Sequence, residues 1–502
     1  MVERLFIEFF HNRVVRVISL LLILIISFSL YHRYIQQDEP WFGEQAYWLL
    51  KEGDVKIKSM PGVFDWTNKM LIFHKLFVWV GAVIIAVFGW SLYPMKLFIL
   101  ACFILLAYFL NKHASDLMDK KKWNWLTLLL LISIPELIHR SFMFRPEVMI
   151  MSLGFLSYYC LINFENKGRA YFAVLAGLFS GLAFLTHLNA VVFPVVGFIF
   201  LLWRKEWKGL MFYSLICFGV CMIYTIGLWD ANTFDQYMFE MKHWPTHQKT
   251  FGDKVNGGIL DVVYNNVLRL LGEHKRYFWD QDVWGISGLF LVTIIAQFRY
   301  LWNNYRALTQ YALLSVLCLA VLSSSPGPRY LVYIMPYMIL TTAVGIFRLK
   351  DHTGLVGLKA FYVLAVAAQL VFASLTLKSI FEKNYDHVAL HDKYLSSIPE
   401  GDRVLAPWEF IYNHIDDHQI FSYKTYEYIE DQEKIKLSQL DLLQLAAEKF
   451  EMDYIILDHK RKDDKEFPWF NQWEIQPNNY YKEDYRTDKF LILKRIAATP
   501  DQ

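Results

Sequence analysis

Cysteine is scarce and sits where it cannot staple a soluble domain. All five cysteines (Cys102, Cys160, Cys217, Cys221 and Cys318) fall inside apolar runs, which excludes disulfides across the polar segments. Cys217 and Cys221 have i, i+4 spacing, which reads as helix packing rather than metal binding. Excess charge of either sign is also missing. Fifty Lys and Arg face 48 Asp and Glu, and no basic stripe appears, so a nucleic-acid partner is excluded. There is no glycine-rich phosphate loop, no internal repeat and no low-complexity segment. Arg13 and Arg16 precede the first apolar run, but no small-residue cleavage site follows it, so a retained helix is expected rather than a removed signal peptide.

Long apolar runs are abundant instead. Hydrophobic residues make up 55% of the 502 and charged residues only 20%, below the roughly 25% of a soluble chain. Many runs approach the ~20 residues that cross a ~30 Å hydrocarbon layer. The expected fold is an α-helical polytopic membrane protein with about eleven transmembrane helices. These lie near residues 14–31, 93–110, 123–139, 148–163, 171–186, 190–203, 210–229, 285–297, 308–322, 330–347 and 355–377. Residues 1–378 form the membrane domain, and 379–502 a small C-terminal α/β domain with strands at 404–406, 454–457 and 490–493. Ser438 and Asp441 make a capping-box start for a helix reaching Phe450.

Positive charge sets the expected sidedness. If Met70–Trp90 lies along the membrane surface, thirteen Lys and Arg fall in short loops on one side and only Arg140, Arg145 and Arg329 on the other. Making that stretch a span would invert the bias, so the thirteen-residue side is read as cytoplasmic. The N-terminus is then inside and the C-terminus outside. Residues 32–92, with juxtamembrane helices, and 230–284 become large outer loops. The expected location is a multi-pass plasma (inner) membrane protein, with its active site and C-terminal domain extracytoplasmic and membrane lipids around it.

The three outer arginines break the charge rule and so call for a reason. Guanidinium groups grip phosphate with a planar fork of donors and keep their charge. They also snorkel to lipid headgroups or pair with nearby acids such as Glu136 and Glu147. Asp38 and Glu39 follow the first span after a short polar link. Residues alone leave two roles open for them: a general base, or the acidic charge favoured at a helix start. His187 and Asn189 sit at an expected outer junction and Glu44 on the short helix after Asp38; contact with an acceptor or headgroup is one reading, a structural hydrogen bond another. Lys69, His74 and Lys75 read as phosphate contacts or interfacial anchors. His243, Trp244 and His247 are candidates to cover the site, and Pro245 argues against a zinc-binding helix there.

Several segments together resemble the GT-C glycosyltransferases. Asp38-Glu-Pro-Trp-Phe-Gly43 is similar to the first outer loop of that superfamily, and Arg145-Pro-Glu147 to its second acidic loop position. Gly181-Leu-Ala-Phe-Leu-Thr-His187 is similar to its Gly-Leu-Ala-x-x-Thr-Lys segment. Arg329-Tyr330-Leu-Val-Tyr-Ile-Met-Pro336 is similar to its arginine–tyrosine–proline segment. Nearest are the family 39 type enzymes, protein O-mannosyltransferases and aminoarabinose transferases, although the mannosyltransferase His-Pro-Pro is absent. The resemblance implies a polyprenyl-phosphate sugar donor and a lipid, glycan or protein acceptor hydroxyl. It implies Asp38 as base, with Glu39 and Glu147 beside it. Arg329, Tyr330, Arg145, Arg140 and Lys69 would hold the donor phosphate, and the reaction would be an inverting displacement. No cofactor is implied; a divalent metal is compatible with the carboxylate pair but not required. A polytopic transporter or flippase and a non-catalytic envelope-assembly protein are the competing readings.

Overall fold

The computed structural model describes residues 2–28, 35–36, 38–118, 124–244, 259–323, 327–350, 352, 354–382, 387–458 and 475–496. Each of the eleven expected spans coincides with helix. Six helices are long and apolar enough to cross a membrane, and further apolar helices of 10–17 residues accompany them. Two form the centre of the bundle: 83% of the apolar window of Pro146–Lys167 and 94% of that of Pro328–Leu349 are buried, against 22–39% in the other four. The outer helices expose leucine, valine and phenylalanine, as a chain solvated by lipid should.

Helix contacts are made close by small residues. Gly177 and Gly181 lie four apart on Ala170–Thr186, and a Cβ at either would strike Trp207–Met222, at 2.5 Å from the Tyr213 carbonyl and 2.7 Å from Val220 respectively. That is the small-xxx-small packing of membrane helices. The third span is broken rather than continuous. Pro135 cannot donate a backbone hydrogen bond, so the helix stops at Ile132 and restarts as Pro135–Arg140. Gln369 repairs the gap, its Nε2 donating to Ser133 Oγ at 2.9 Å and the Leu130 carbonyl at 3.4 Å. The tenth span likewise opens with a tight 3-10 turn, Pro328–Ile334, before Met335–Leu349.

The stretch on which the sidedness turns, Met70–Trp90, contains one helix, Lys75–Phe88. Its fourteen residues cover about 21 Å at 1.5 Å each, short of a ~30 Å hydrocarbon layer. It packs against the Asp38–Glu52 helix, where Gly81 abuts Ala46 and Phe144. Lys75 is buried and donates to the Ile226 carbonyl at 2.6 Å, so it is no interfacial anchor.

After the last long helix, Val356–Glu382, the chain forms a five-stranded sheet of order β2-β1-β3-β5-β4. β1 (Arg403–Ala406) runs parallel to β2 (Gln419–Ser422) and β3 (Tyr454–Asp458); β5 (Phe490–Arg495) runs antiparallel to β3 and β4 (Tyr481–Arg486). The expected capping box forms: Ser438 and Asp441 satisfy each other's backbone N–H groups at the start of Gln439–Glu448. β2 and β4 were not expected. β4 reads Tyr-Lys-Glu-Asp-Tyr-Arg and is exposed beyond Tyr481, so it offers no apolar run to detect.

This sheet unit rests on the first outer helix. Tyr412 donates to the Glu39 carbonyl, Tyr47 to Asp416, and Trp408 Nε1 to Ser59 Oγ at 2.8 Å. Gly43 permits the seating, because a Cβ there would lie 2.6 Å from the Tyr412 hydroxyl. Gly43→Val should therefore unseat the sheet unit while leaving the bundle folded. Limited proteolysis should cut the variant between residues 383 and 402 at least tenfold faster than the wild type.

Candidate active site

A cavity of about 350 Å³ opens between one end of the bundle, the first outer helix and the sheet unit. Asp38 and Arg329 both line it, with Arg145, Glu147, His187 and Asn189. The arginines that broke the charge rule are thus neighbours: Arg145 and Arg329 share the cavity, and Arg140 Nη1 lies 3.8 Å from Glu147 behind it.

The first outer helix starts where Gln36 and Glu39 cap it reciprocally. Gln36 Oε1 accepts from the Asp38 N–H at 2.9 Å, and Glu39 Oε2 accepts from the Gln36 N–H at 2.8 Å. This turns adjacent carboxylates in opposite directions. Asp38 faces the cavity with 41% of its side chain exposed. Glu39 is wholly buried, accepts from the Phe144 N–H at 2.7 Å and pairs with buried Lys96 at 3.6 Å. It was expected beside the reacting atoms, yet it lies in the packing. The two acids therefore form no joint site, and the reason is the ~100° turn between successive helical residues.

Arg145 caps the central Pro146–Lys167 helix, with Pro146 at its first position. Its guanidinium is clamped from two sides. Nη1 pairs with Asp38, and Nη2 and Nε donate to Glu147 at 2.7 and 3.1 Å. Arg140 pairs with Glu136 at 2.8 Å. Both arginines are therefore matched by acids, and of the two only Arg145 also lines the cavity. Arg329 differs. It donates to its neighbour's phenol, Tyr330 Oη, at 3.1 Å and stacks on that ring at 4.9 Å. Among the described residues no carboxylate forms an ion pair with it.

Aromatic rings bridge the two ends of the cavity. Phe42 meets His74 at 5.2 Å between centroids, His74 meets His187 at 4.2 Å, and His187 meets Tyr330 at 6.1 Å. Burial depresses His74 to about 4, so at neutral pH it offers hydrogen bonds and no charge. His187 Nδ1 accepts from the Asn189 N–H at 3.0 Å, which fixes the ring and leaves Nε2 for other contacts.

Two further candidates lie outside the cavity. Lys69 pairs with Asp54 at 3.4 Å on an exposed surface. Glu44 is buried, and desolvation raises its pKa. It accepts from the Ser59 N–H at 2.9 Å and from Trp408 and so braces the sheet unit. Trp244 lines the cavity, whereas His247 lies outside the described residues. The sequence reading missed Trp41, Phe42 and Gln45, although their i+3, i+4 and i+7 spacing from Asp38 places all four on one helix face. It also missed Trp408, Lys424, Glu427 and Tyr428, contributed by the sheet unit, for which no local signal existed. Among the described residues no three His, Cys, Asp or Glu side chains come together as a metal-ligand group.

Three solved structures share this architecture. ArnT from Cupriavidus metallidurans bound to undecaprenyl phosphate superposes with a TM-score of 0.58 at 12% identity, over 97% of this chain and 99% of that one. The Archaeoglobus fulgidus oligosaccharyltransferase in the apo form gives 0.52 at 11% identity, over 91% and 71%. The oligosaccharyltransferase AglB from that organism, with an inhibitory peptide and a dolichol-phosphate, gives 0.50 at 11% identity, over 90% and 70%. At such identities the likeness is one of fold, the GT-C arrangement expected from the motifs. No curated protein matches the sequence. Residues 70–326, just over half of the chain, match glycosyltransferase family 87. With its apolar helices, this polytopic membrane protein of GT-C fold belongs to glycosyltransferase family 87.

Proposed function

We propose that the cavity transfers a sugar from a polyprenyl-phosphate donor to an acceptor hydroxyl on the extracytoplasmic side of the membrane. The observation that carries this reading is the meeting of Asp38 and Arg329 in one cavity, with an acid-matched arginine at one end and a cation without a carboxylate partner at the other. The structures bound to undecaprenyl phosphate and dolichol-phosphate support the donor class. The bias of thirteen basic residues against three supports the side.

The chemistry follows from charge. A sugar linked to a polyprenyl phosphate is a phosphodiester with one negative charge, and the departing polyprenyl phosphate is a monoester carrying up to two. Arg329, with the Tyr330 phenol beside it, meets the charge that grows as the anomeric C–O bond breaks, which is where a fixed cation accelerates a reaction. Asp38 accepts the proton as the acceptor oxygen bonds to the anomeric carbon. Arg145 and Glu147 do not react: Arg145 holds one oxygen of Asp38 and leaves the other for the acceptor, while Glu147 holds Arg145. A single displacement of this kind inverts the anomeric centre.

Substitutions at three positions separate these roles. Asp38→Asn should lower kcat by about 10²–10⁴-fold with little change in thermal unfolding. Glu39→Gln should do the opposite, because it removes the carboxylate that pairs with the buried Lys96 ammonium. Its cost is on the order of 3 kcal/mol, read as an earlier melt in detergent. An Asp38→Asn enzyme that transfers sugar at the wild-type rate would remove that residue from the chemistry. Arg329→Gln should weaken binding of undecaprenyl phosphate at least tenfold, and Arg329→Lys should restore part of it; unchanged binding in a filter assay would place the phosphate elsewhere.

A further inference from the structure

The half of the cavity lined by the first outer helix and the sheet unit has residues that the phosphate chemistry does not use. Trp41, Trp244 and Trp408 stand edge to face, with Trp41 centroids 6.0 Å from Trp244 and 5.5 Å from Trp408. Gln45 lies beneath them, fully buried, with Nε2 donating to the Trp41 carbonyl at 3.1 Å. Its Oε1 is a buried acceptor with no hydrogen-bond partner, on a side chain that lines the cavity. An orphaned amide oxygen in such a place costs stability unless a bound group donates to it. The sheet unit supplies the opposite wall with Lys424 and Glu427, which pair with each other and so add no net charge.

We propose that this half is an acceptor subsite for a sugar ring of a neutral glycan, with Gln45 Oε1 receiving a ring hydroxyl and the tryptophans covering the ring's C–H faces. The inference rests on the catalytic reading above and names its acceptor class. Three features of the lining favour a sugar. Indole faces carry a negative quadrupole that suits the weakly positive C–H face of a pyranose. Among the described residues of the lining, the one buried side-chain atom without a hydrogen-bond partner is a neutral acceptor, fitted to a hydroxyl and not to a carboxylate or phosphate. The charges at the rim cancel, so nothing there selects an ionic acceptor. Asp38, Trp41 and Gln45 lie on one helix face, which aligns a glycan held at Gln45 with the base two turns, about 10 Å, away along the helix. The sheet unit is then part of the acceptor site, since Trp408, Lys424 and Glu427 all come from it.

The test uses the full-length protein in lipid nanodiscs. Ligand-observed NMR titrations compare neutral trisaccharides of glucose, galactose, mannose or N-acetylglucosamine with an uncharged serine- and threonine-containing hexapeptide. Undecaprenyl phosphate binding is measured on the same samples. At least one trisaccharide should bind saturably and the peptide should not. Gln45→Leu should weaken that trisaccharide at least tenfold without changing the melting temperature or undecaprenyl phosphate binding. Glu427→Gln, on the sheet unit, should weaken it severalfold. Saturable peptide binding without any trisaccharide binding, or a Gln45→Leu protein that binds sugar as tightly as the wild type, overturns the subsite. Loss of undecaprenyl phosphate binding by the wild type would instead overturn the catalytic reading, which keeps the two failures apart.

Discussion

The Arg145 guanidinium, held between Asp38 and Glu147, is the contact on which the site depends. It joins the first outer helix to the N-terminus of a central membrane helix, two segments more than a hundred residues apart. Burying Arg145 and Glu147 carries a desolvation cost, which their mutual hydrogen bonds and the pairing with half-exposed Asp38 offset. The arrangement therefore tolerates little displacement. If the first outer helix shifted, Arg145 would face Glu147 alone and Asp38 would lose its orientation. The burial of Glu39 against Phe144 and Lys96 resists such a shift, which gives the wholly buried carboxylate a structural purpose beside its partly exposed neighbour.

That division of labour also explains what could be read from the sequence. The membrane spans were legible because apolar runs have no alternative to burial in hydrocarbon, and the capping box at Ser438 because it is a local pattern of four residues. The loop arginines were legible as exceptions to a charge rule. Their individual roles were not, since sequence does not reveal which acid stands opposite which arginine. Arg140 and Arg145 turn out to be matched by Glu136, Asp38 and Glu147, whereas among the described residues Arg329 forms no ion pair with a carboxylate. Asp38 and Glu39 could not be told apart for a related reason. One helical step separates cavity from core, and the deciding neighbours, Phe144 and Lys96, are distant in the chain. The helix-face partners of Asp38 were readable by spacing, whereas the wall supplied by the sheet unit was not, because its residues lie hundreds of positions away.

The ring-lined path from Phe42 through His74 and His187 to Tyr330 bears on how such a site discriminates. Half-buried imidazoles that stay neutral present donors and acceptors without adding charge. The positive charge of this wall then comes from Arg145 and Arg329 and not from its imidazoles. Burial opposes protonation of His74.

Placement of the sheet unit carries the argument one step further. Its seat on the first outer helix runs through Tyr412 at Gly43 and Trp408 at Ser59 and Glu44, all on the helix that carries Asp38 or the loop that follows it. The helix that carries Asp38 is thus the same one that seats the sheet unit's wall of the cavity. A change in the fit of the sheet unit is therefore felt at Asp38 as well as at the tryptophans. Arg329 lies in the bundle, in the tight turn that opens Met335–Leu349, whereas Asp38 is tied to the bundle through Arg145. The first outer helix therefore links bundle and sheet unit: one end of it meets the bundle at Arg145, and its Glu39 carbonyl and Tyr47 seat the sheet unit.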